Sequence, residues 1–289
     1  MSTNRRNFLK YSSFAALGLS LPLAGKSSMI EEFARYKSIA TFGLQLWTVQ
    51  VDMAANAKDT LKKVAADGYK LIESFEGPKG MFWGWKNTEF KKYMDDLGMN
   101  IVSSHCDIYK DFDRKAAEAA EIGMKYLICP WKGPQKSIAD FKRFADDFNK
   151  AGETCKKHGI RFAYHNHDYP FVKVDGEVPQ VVMMNNTDKD LVDFEMDIYW
   201  VVAAGEDPKA WFAKYPNRFR LCHIKDLART AKGHESVQLG KGTIDFPSIL
   251  KVGVANGLKY FIVEQEAFTG TTPMESAEAD AKYFKTVSI

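Results

Sequence analysis

Ionisable side chains stand two residues apart at four places of interest in this 289-residue chain: His165 with His167, Glu195 with Asp197, His223 with Lys225, and Glu264 with Glu266. In an extended strand, side chains two apart share a face, so each pair points one way while the intervening Met196, Ile224 and Val263 point the other. Glu73, His105 and Asp107 stand at the ends of similar apolar runs. Carboxylates and imidazoles gathered at one point can ligate a divalent cation or move a proton at a reacting carbon or oxygen. For any single residue of the set, a buried network of mutually satisfied polar groups explains its presence equally well. For the whole set that explanation weakens, because acids are rarely buried unless paired or metal-bound.

The elements that carry these residues are short β-rich runs alternating with amphipathic helical segments, eight of each. Strands are expected near Phe42 to Val49, Lys70 to Phe75, Asn100 to Asp107, Tyr126 to Trp131, Ile160 to His167, Val192 to Trp200, Arg218 to Asp226 and Tyr260 to Glu266. Between them, stretches such as Thr60 to Ala66 and Ala139 to Lys157 repeat apolar residues at three- and four-residue spacing. Gly68, Gly98, Gly123, Gly159 and Gly257 each sit just before a strand, where a left-handed helix cap is wanted. Strict alternation implies a parallel sheet, and eight units favour closure into a (β/α)8 TIM barrel; no GxGxxG follows the first strand to support a nucleotide fold. In such a barrel the chemistry sits at the carboxyl ends of the strands, where the polar pairs fall. No low-complexity linker divides the chain, so residues 38–289 read as a single domain.

Residues 1–26 are set apart from that domain. They carry Arg5, Arg6, Lys10 and Lys26, no acid, and the weakly polar run Tyr11 to Leu23. Asn4-Arg5-Arg6-Asn7-Phe8-Leu9-Lys10 resembles a twin-arginine export motif, with Asn4 where Ser or Thr is usual. An export leader and a periplasmic location are therefore expected. The run is too short and too interrupted by Ser12, Ser13, Gly18 and Pro22 to span a bilayer. Without its four cationic residues the formal charge of +3 becomes −1, and Lys and Arg alternate with Asp and Glu along the helices. No nucleic-acid footprint is implied, and the oligomeric state is left open. Cys106, Cys129, Cys155 and Cys222 form no CxxC pair and read as buried free thiols.

Five motifs, in order, carry a family resemblance. Gly43 to Thr48 (GLQLWT) lies in the first strand, Tyr164 to Asp168 (YHNHD) in the fifth, and Phe194 to Trp200 (FEMDIYW) in the sixth. Cys222 to Asp226 (CHIKD) lies in the seventh and Val263 to Glu266 (VEQE) in the eighth. Together they resemble the xylose isomerase-like sugar phosphate isomerase/epimerase superfamily over almost all of the barrel. Members include keto-sugar 3-epimerases and inosose dehydratases, and many hold one divalent ion. Carried over motif by motif, the resemblance implies His165, Asp197, His223 and Glu264 as ligands. His165 departs from the pattern, standing where the epimerases usually present a Glu. A shell with two imidazoles suits Mn, Co or Zn better than Mg.

The resulting expectation is a metal-dependent sugar isomerase or epimerase acting on a keto or hydroxy sugar. The ion would acidify a C–H beside a polarised oxygen, and a carboxylate would remove the proton. Glu264 is the first candidate for that base; if it serves only as ligand, Glu73, Glu195 or His165 must act instead. His105, His167, Lys225 and Trp131 are expected to face a small carbohydrate substrate. Trp47, Trp83, Trp85, Trp131 and Trp200 are the candidates for a sugar-stacking platform, with Trp83 and Trp85, in the Gly-rich segment 77–86, favoured, and Asp226 is read as a structural partner. Gly240-Lys241-Gly242 occurs where barrels often bind phosphate and is read as a turn leading to the next helix. The alternatives are a lyase or dehydratase on keto-sugars or 3-keto-glycosides, and a non-catalytic sugar-binding barrel.

Overall fold

The computed structural model describes residue 39 and residues 41–231 and 233–289; the export leader expected at residues 1–26 lies outside the described residues. Eight parallel strands close into a barrel: β1 (Gly43–Gln45), β2 (Leu71–Phe75), β3 (Asn100–His105), β4 (Tyr126–Cys129), β5 (Arg161–His165), β6 (Val192–Asp197), β7 (Phe219–Ile224) and β10 (Tyr260–Val263). Around the wall β10 stands between β7 and β1, so the sheet has no free edge. The helices α1 (Gln50–Asp67), α2 (Asn87–Asp96), α3 (Phe112–Glu121), α4 (Ile138–Lys157), α5 (Pro179–Asn186), α6 (Ile198–Ala203), α7 (Pro208–Lys214), α8 (Phe246–Ala255) and α9 (Pro273–Phe284) occupy the connections. None of the described helices is long and apolar enough to cross a membrane.

Local chemistry explains where these elements begin and end. Five glycines that precede strands, Gly68, Gly98, Gly123, Gly159 and Gly257, adopt φ between 69° and 101°, a backbone that a Cβ disfavours. Thr272 and Glu275 form a reciprocal capping box at the start of α9, and Asp245 caps α8 through the Ser248 N–H. The main core lies between strands and helices, with Phe148, Phe162 and Phe194 fully buried. A separate apolar cluster of Tyr126, Ile128, Ala163 and Leu221 fills the lower barrel interior and forms a floor beneath the polar layer.

Seven of the eight strands end before the expected residue, the first at Gln45 rather than Val49 and the third, fourth, fifth and seventh two residues early. The sixth strand stops at Asp197 rather than Trp200, because Asp197 turns its carboxylate onto the Trp200 N–H and starts α6. The eighth ends at Val263, three residues short. The connection after the seventh strand contains an antiparallel hairpin, β8 (Asp226–Thr230) with β9 (Gly233–Val237), which the sequence pattern did not signal. Register aligns the site: His165 lies beside Glu195, Asp197 beside His223, and Gln45 beside Glu73. The β2/β3 register shifts between Ile72 and Glu73, and the β6/β7 register between Phe194 and Glu195. Both irregularities therefore fall at inward glutamates, where such a bulge re-aims a side chain.

Candidate active site

The inner layer of the site is an alternation of imidazoles and carboxylates. His223 is held at both ring nitrogens, its Nε2 2.6 Å from Glu73 Oε1 and its Nδ1 3.0 Å from Glu264 Oε2. Glu73 in turn accepts hydrogen bonds from Gln45 Nε2 at 2.8 Å and Ser103 Oγ at 2.5 Å. His105 Nε2 lies 2.8 Å from Glu195 Oε2 and 3.2 Å from Glu73 Oε1, and His165 Nδ1 lies 3.1 Å from Glu195 Oε2. All of these residues are buried.

Above them stands Lys225, whose ammonium is within 2.8 Å of Asp197 Oδ2, 2.9 Å of Glu264 Oε2 and 2.9 Å of Glu266 Oε2. Asp197 Oδ2 also lies 3.8 Å from His165 Nε2 and 3.9 Å from His223 Nδ1.

These neighbours set the charge states. Burial opposes ionisation of Glu73, but His105 and His223 outweigh it and hold the carboxyl well below the usual range. At Glu195 burial and the charge of Glu73 prevail, pushing it up to about 7. Burial also works against charging His105, yet Glu73 and Glu195 carry it up to about 9. His165 moves the other way, well below the ordinary imidazole value, through burial and then the charge of His223. His167 falls to about 3 through burial and then Lys225. Glu264 is lowered, since Lys225 and His223 overcome its burial, whereas burial raises Glu266.

A cavity of about 470 Å³ opens over this layer, lined by Trp47, Phe75, Glu76, His105, Cys106, Asp107, Pro130, Trp131, His165, His167, Glu264 and Glu266. Among the expected substrate-facing residues His105, His167 and Trp131 reach it. Lys225 does not: its side chain is fully buried and enclosed by carboxylates. Among the expected catalytic acids only Glu264 reaches the cavity, while Glu73 and Glu195 lie beneath it. Trp83 and Trp85 are elsewhere. Trp83 donates to Ser74 Oγ and packs on Phe75, and Trp85 packs against Phe90 and Tyr93 in the helical layer. Glu266 and Glu76 line the cavity without having been singled out as site residues, and Trp47, one of the five candidate stacking tryptophans, joins them there. The period-two pattern that marks Glu264 already placed Glu266 on the same face.

The donor set fits a divalent ion. Asp197, His223 and Glu264 present ligand atoms within 4.8 Å of one another, as do His105, His165, Glu195 and His223. One oxygen of Glu195, Oε1, is buried without a hydrogen-bond partner among the described residues. The expected ligands are divided between these two groups, which share His223: Asp197 and Glu264 fall in the first and His165 in the second. Lys225 shares two of the same oxygens, so an ion there would sit beside an ammonium within one carboxylate frame.

Comparison with known proteins supports the same kind of barrel. An inosose dehydratase from Clostridium perfringens is 31% identical over 164 residues, 50% of this chain and 54% of that protein, so the chain spans about half the length of that relative. A sugar phosphate isomerase/epimerase from Parabacteroides distasonis superposes with a TM-score of 0.74 at 30% identity, covering 86% of this chain and 94% of the other. An IOLI protein with a bound zinc atom shares the fold at a TM-score of 0.67 and 14% identity, covering 84% of this chain and 95% of that one. The family model for xylose isomerase-like TIM barrels matches residues 61–287, nearly the entire barrel, and the chain belongs to that family.

Proposed function

We propose that this protein is a metal-dependent sugar isomerase or epimerase that works by removing a proton from carbon beside a carbonyl or hydroxyl. One observation carries the reading: Glu264 and Glu266 reach a substrate-sized cavity directly beside the His165, Asp197 and His223 donors. His165, Asp197, His223 and Glu264 would hold the ion. When bound, it would polarise the sugar oxygen and acidify the neighbouring C–H.

The protein's own groups then divide the work. Glu264 is enclosed, 5% exposed, with His223 and Lys225 on a single oxygen, which suits a ligand. Glu266 is 31% exposed and bonded to Lys225, which leaves it open to accept the proton from carbon. Lys225 aims both carboxylates, helps to hold Glu264 below the usual carboxylate range and opposes the burial that raises Glu266. His105 ends β3 and Asp107 follows it, three strands around the wall from β10, on the far side of the cavity. A proton returned from that side to the same carbon gives the epimer.

A second reading is a lyase, favoured by the match to the Clostridium perfringens inosose dehydratase. The same proton removal, followed by departure of a group one carbon away protonated by His105, would eliminate water or an alcohol. Product analysis on metal-loaded protein with a panel of sugars and keto-glycosides separates the readings: isomers of unchanged mass support the first, unsaturated products the second. If neither forms and metal-free protein binds sugar, the barrel is a non-catalytic binder. The Arg5-Arg6 leader supports action in the periplasm.

A further inference from the structure

We propose that the substrate is an uncharged, non-phosphorylated sugar whose ring faces rest against Trp47 and Trp131. This takes the cavity as the sugar site, as above, and names the class of sugar it admits.

The first observation concerns the place where a barrel would bind phosphate. Backbone N–H groups in the loops after strands seven and eight commonly cradle that anion. Here the Gly240-Lys241-Gly242 turn lies in that region, but its N–H groups are already engaged. Gly240 and Gly242 donate to Asp226 Oδ2 at 2.9 and 3.0 Å, and Leu227 and Ile244 donate to Oδ1 at 2.8 and 3.2 Å. Asp226 is buried, and a Cβ on Gly242 would stand 2.2 Å from its Oδ1. The chain's own carboxylate fills the nest, so a phosphate there would meet an anion instead of donors.

The second observation is the charge of the wall. Glu76, Asp107, Glu264 and Glu266 line the cavity, and among the described residues no lysine or arginine does. Counting Glu264 with the ion leaves three acids. The nearby ammonium groups are engaged: Lys225 by Asp197, Glu264 and Glu266, and Lys115 by Glu76 and the Asp107 carbonyl. His105, also on the wall, is bonded to Glu73 and Glu195. Phosphate sites are built from arginine forks or lysine charges, and this wall offers a dianion none that is open.

The third observation supplies what an uncharged ligand needs. Trp47 and Trp131 are 43% and 52% exposed, yet each ring is seated on other rings. Trp47 meets Phe75 edge-on at 5.0 Å, and Trp131 meets His167 at 4.5 Å and Tyr169 at 4.9 Å. They follow β1 and β4, three strands apart, and so flank the cavity from two sides. Held indoles with open faces suit the apolar C–H faces of a sugar ring.

Ligand-observed NMR titration of the zinc-loaded protein tests this with matched pairs: glucose and its 6-phosphate, fructose and its 6-phosphate, and p-nitrophenyl β-glucoside and its 6-phosphate. The neutral member of at least one pair should bind tenfold or more tighter, with the gap narrowing as salt is raised. Trp131→Ala should weaken that neutral ligand at least fivefold, and Trp131→Phe should keep most of the affinity. Phosphorylated members binding as tightly as their neutral partners in every pair, or no neutral member binding at all, would overturn the proposal. Binding is read without turnover, so neutral sugars that bind but are never converted would sink the catalytic reading and leave this one standing.

Discussion

At the scale of single residues, the site is governed by which acids reach substrate and which only hold another group. Glu73 is the clearest case of the second kind. Its 2.6 Å approach to His223 Nε2, with Gln45 and Ser103 fixing both of its oxygens, leaves Nδ1 aimed at Asp197 and Glu264. A carboxylate that fixes the tautomer and ring orientation of a ligand histidine typically contributes tenfold to a hundredfold in metal affinity. Glu73→Gln should therefore weaken zinc binding by about that factor in a calorimetric titration, with the circular dichroism spectrum unchanged. Unaltered zinc affinity would remove Glu73 from this role. The sequence could not have distinguished it from Glu264, because both are inward acids on barrel strands. What separates them is a partner 150 residues away and 0% exposure, neither of which period-two patterning encodes.

At the scale of elements, alternation and glycine caps made the barrel legible, while strand ends were not. The inward pattern Glu195, Asp197 continues to Tyr199 as though the strand did, but a side-chain cap at Asp197 ends it, and capping competes with strand pairing through the same backbone N–H groups. The β8–β9 hairpin escaped because Thr230 to Gly233 carries none of the Asn-Gly or Asp-Gly turn signals. Asp226, read as structural from sequence, organises the loop that follows it. Helix α9 contains a related group. Asp280 is buried, its Oδ1 accepts the Leu239 N–H at 2.7 Å, and its Oδ2 has no partner among the described residues. Burial, with Asp226 adding to it, pushes its carboxyl up to about 7. The folded state thus holds a proton that the unfolded chain releases near pH 4. The stability associated with that proton is fully present below the unfolded value and is lost as pH rises through about 7. Asp280→Asn keeps the Leu239 bond and removes the titration. It should raise the melting temperature by several degrees at pH 8, on the order of 2 kcal/mol, and by little at pH 4.5. An equal shift at both pH values would contradict the assignment.

At the scale of the whole molecule, a closed barrel brings His105, His165, Glu195, His223 and Glu264 from five different strands to one end above an apolar floor. Their approximate meeting place could be read from strand order, whereas the division into a buried inner layer and a cavity-facing rim depended on three-dimensional packing. The Trp83 and Trp85 expectation failed for that reason: a Gly-rich segment after β2 turns its indoles back into the helical layer, and Trp47 and Trp131 take the exposed positions. The proposed export through Arg5 and Arg6 belongs to this scale too. Replacing Arg5 and Arg6 with Lys should leave the protein in the cytoplasm on cell fractionation, and undiminished delivery to the periplasm would exclude twin-arginine export.

Proton removal from carbon by a carboxylate at the cavity rim is the step proposed for this site. It is tested most directly by incubating zinc-saturated protein with neutral sugars in heavy water and following substrate C–H signals by NMR. Wild-type protein should exchange one carbon-bound proton for deuterium. Glu266→Gln, confirmed to hold its zinc, should slow that exchange by about a hundredfold or more, because an amide has no basic oxygen at neutral pH. Exchange at near wild-type rate in the zinc-occupied variant would contradict the assignment of the base to Glu266. Absence of exchange in the wild type with every sugar that binds would contradict the account as a whole.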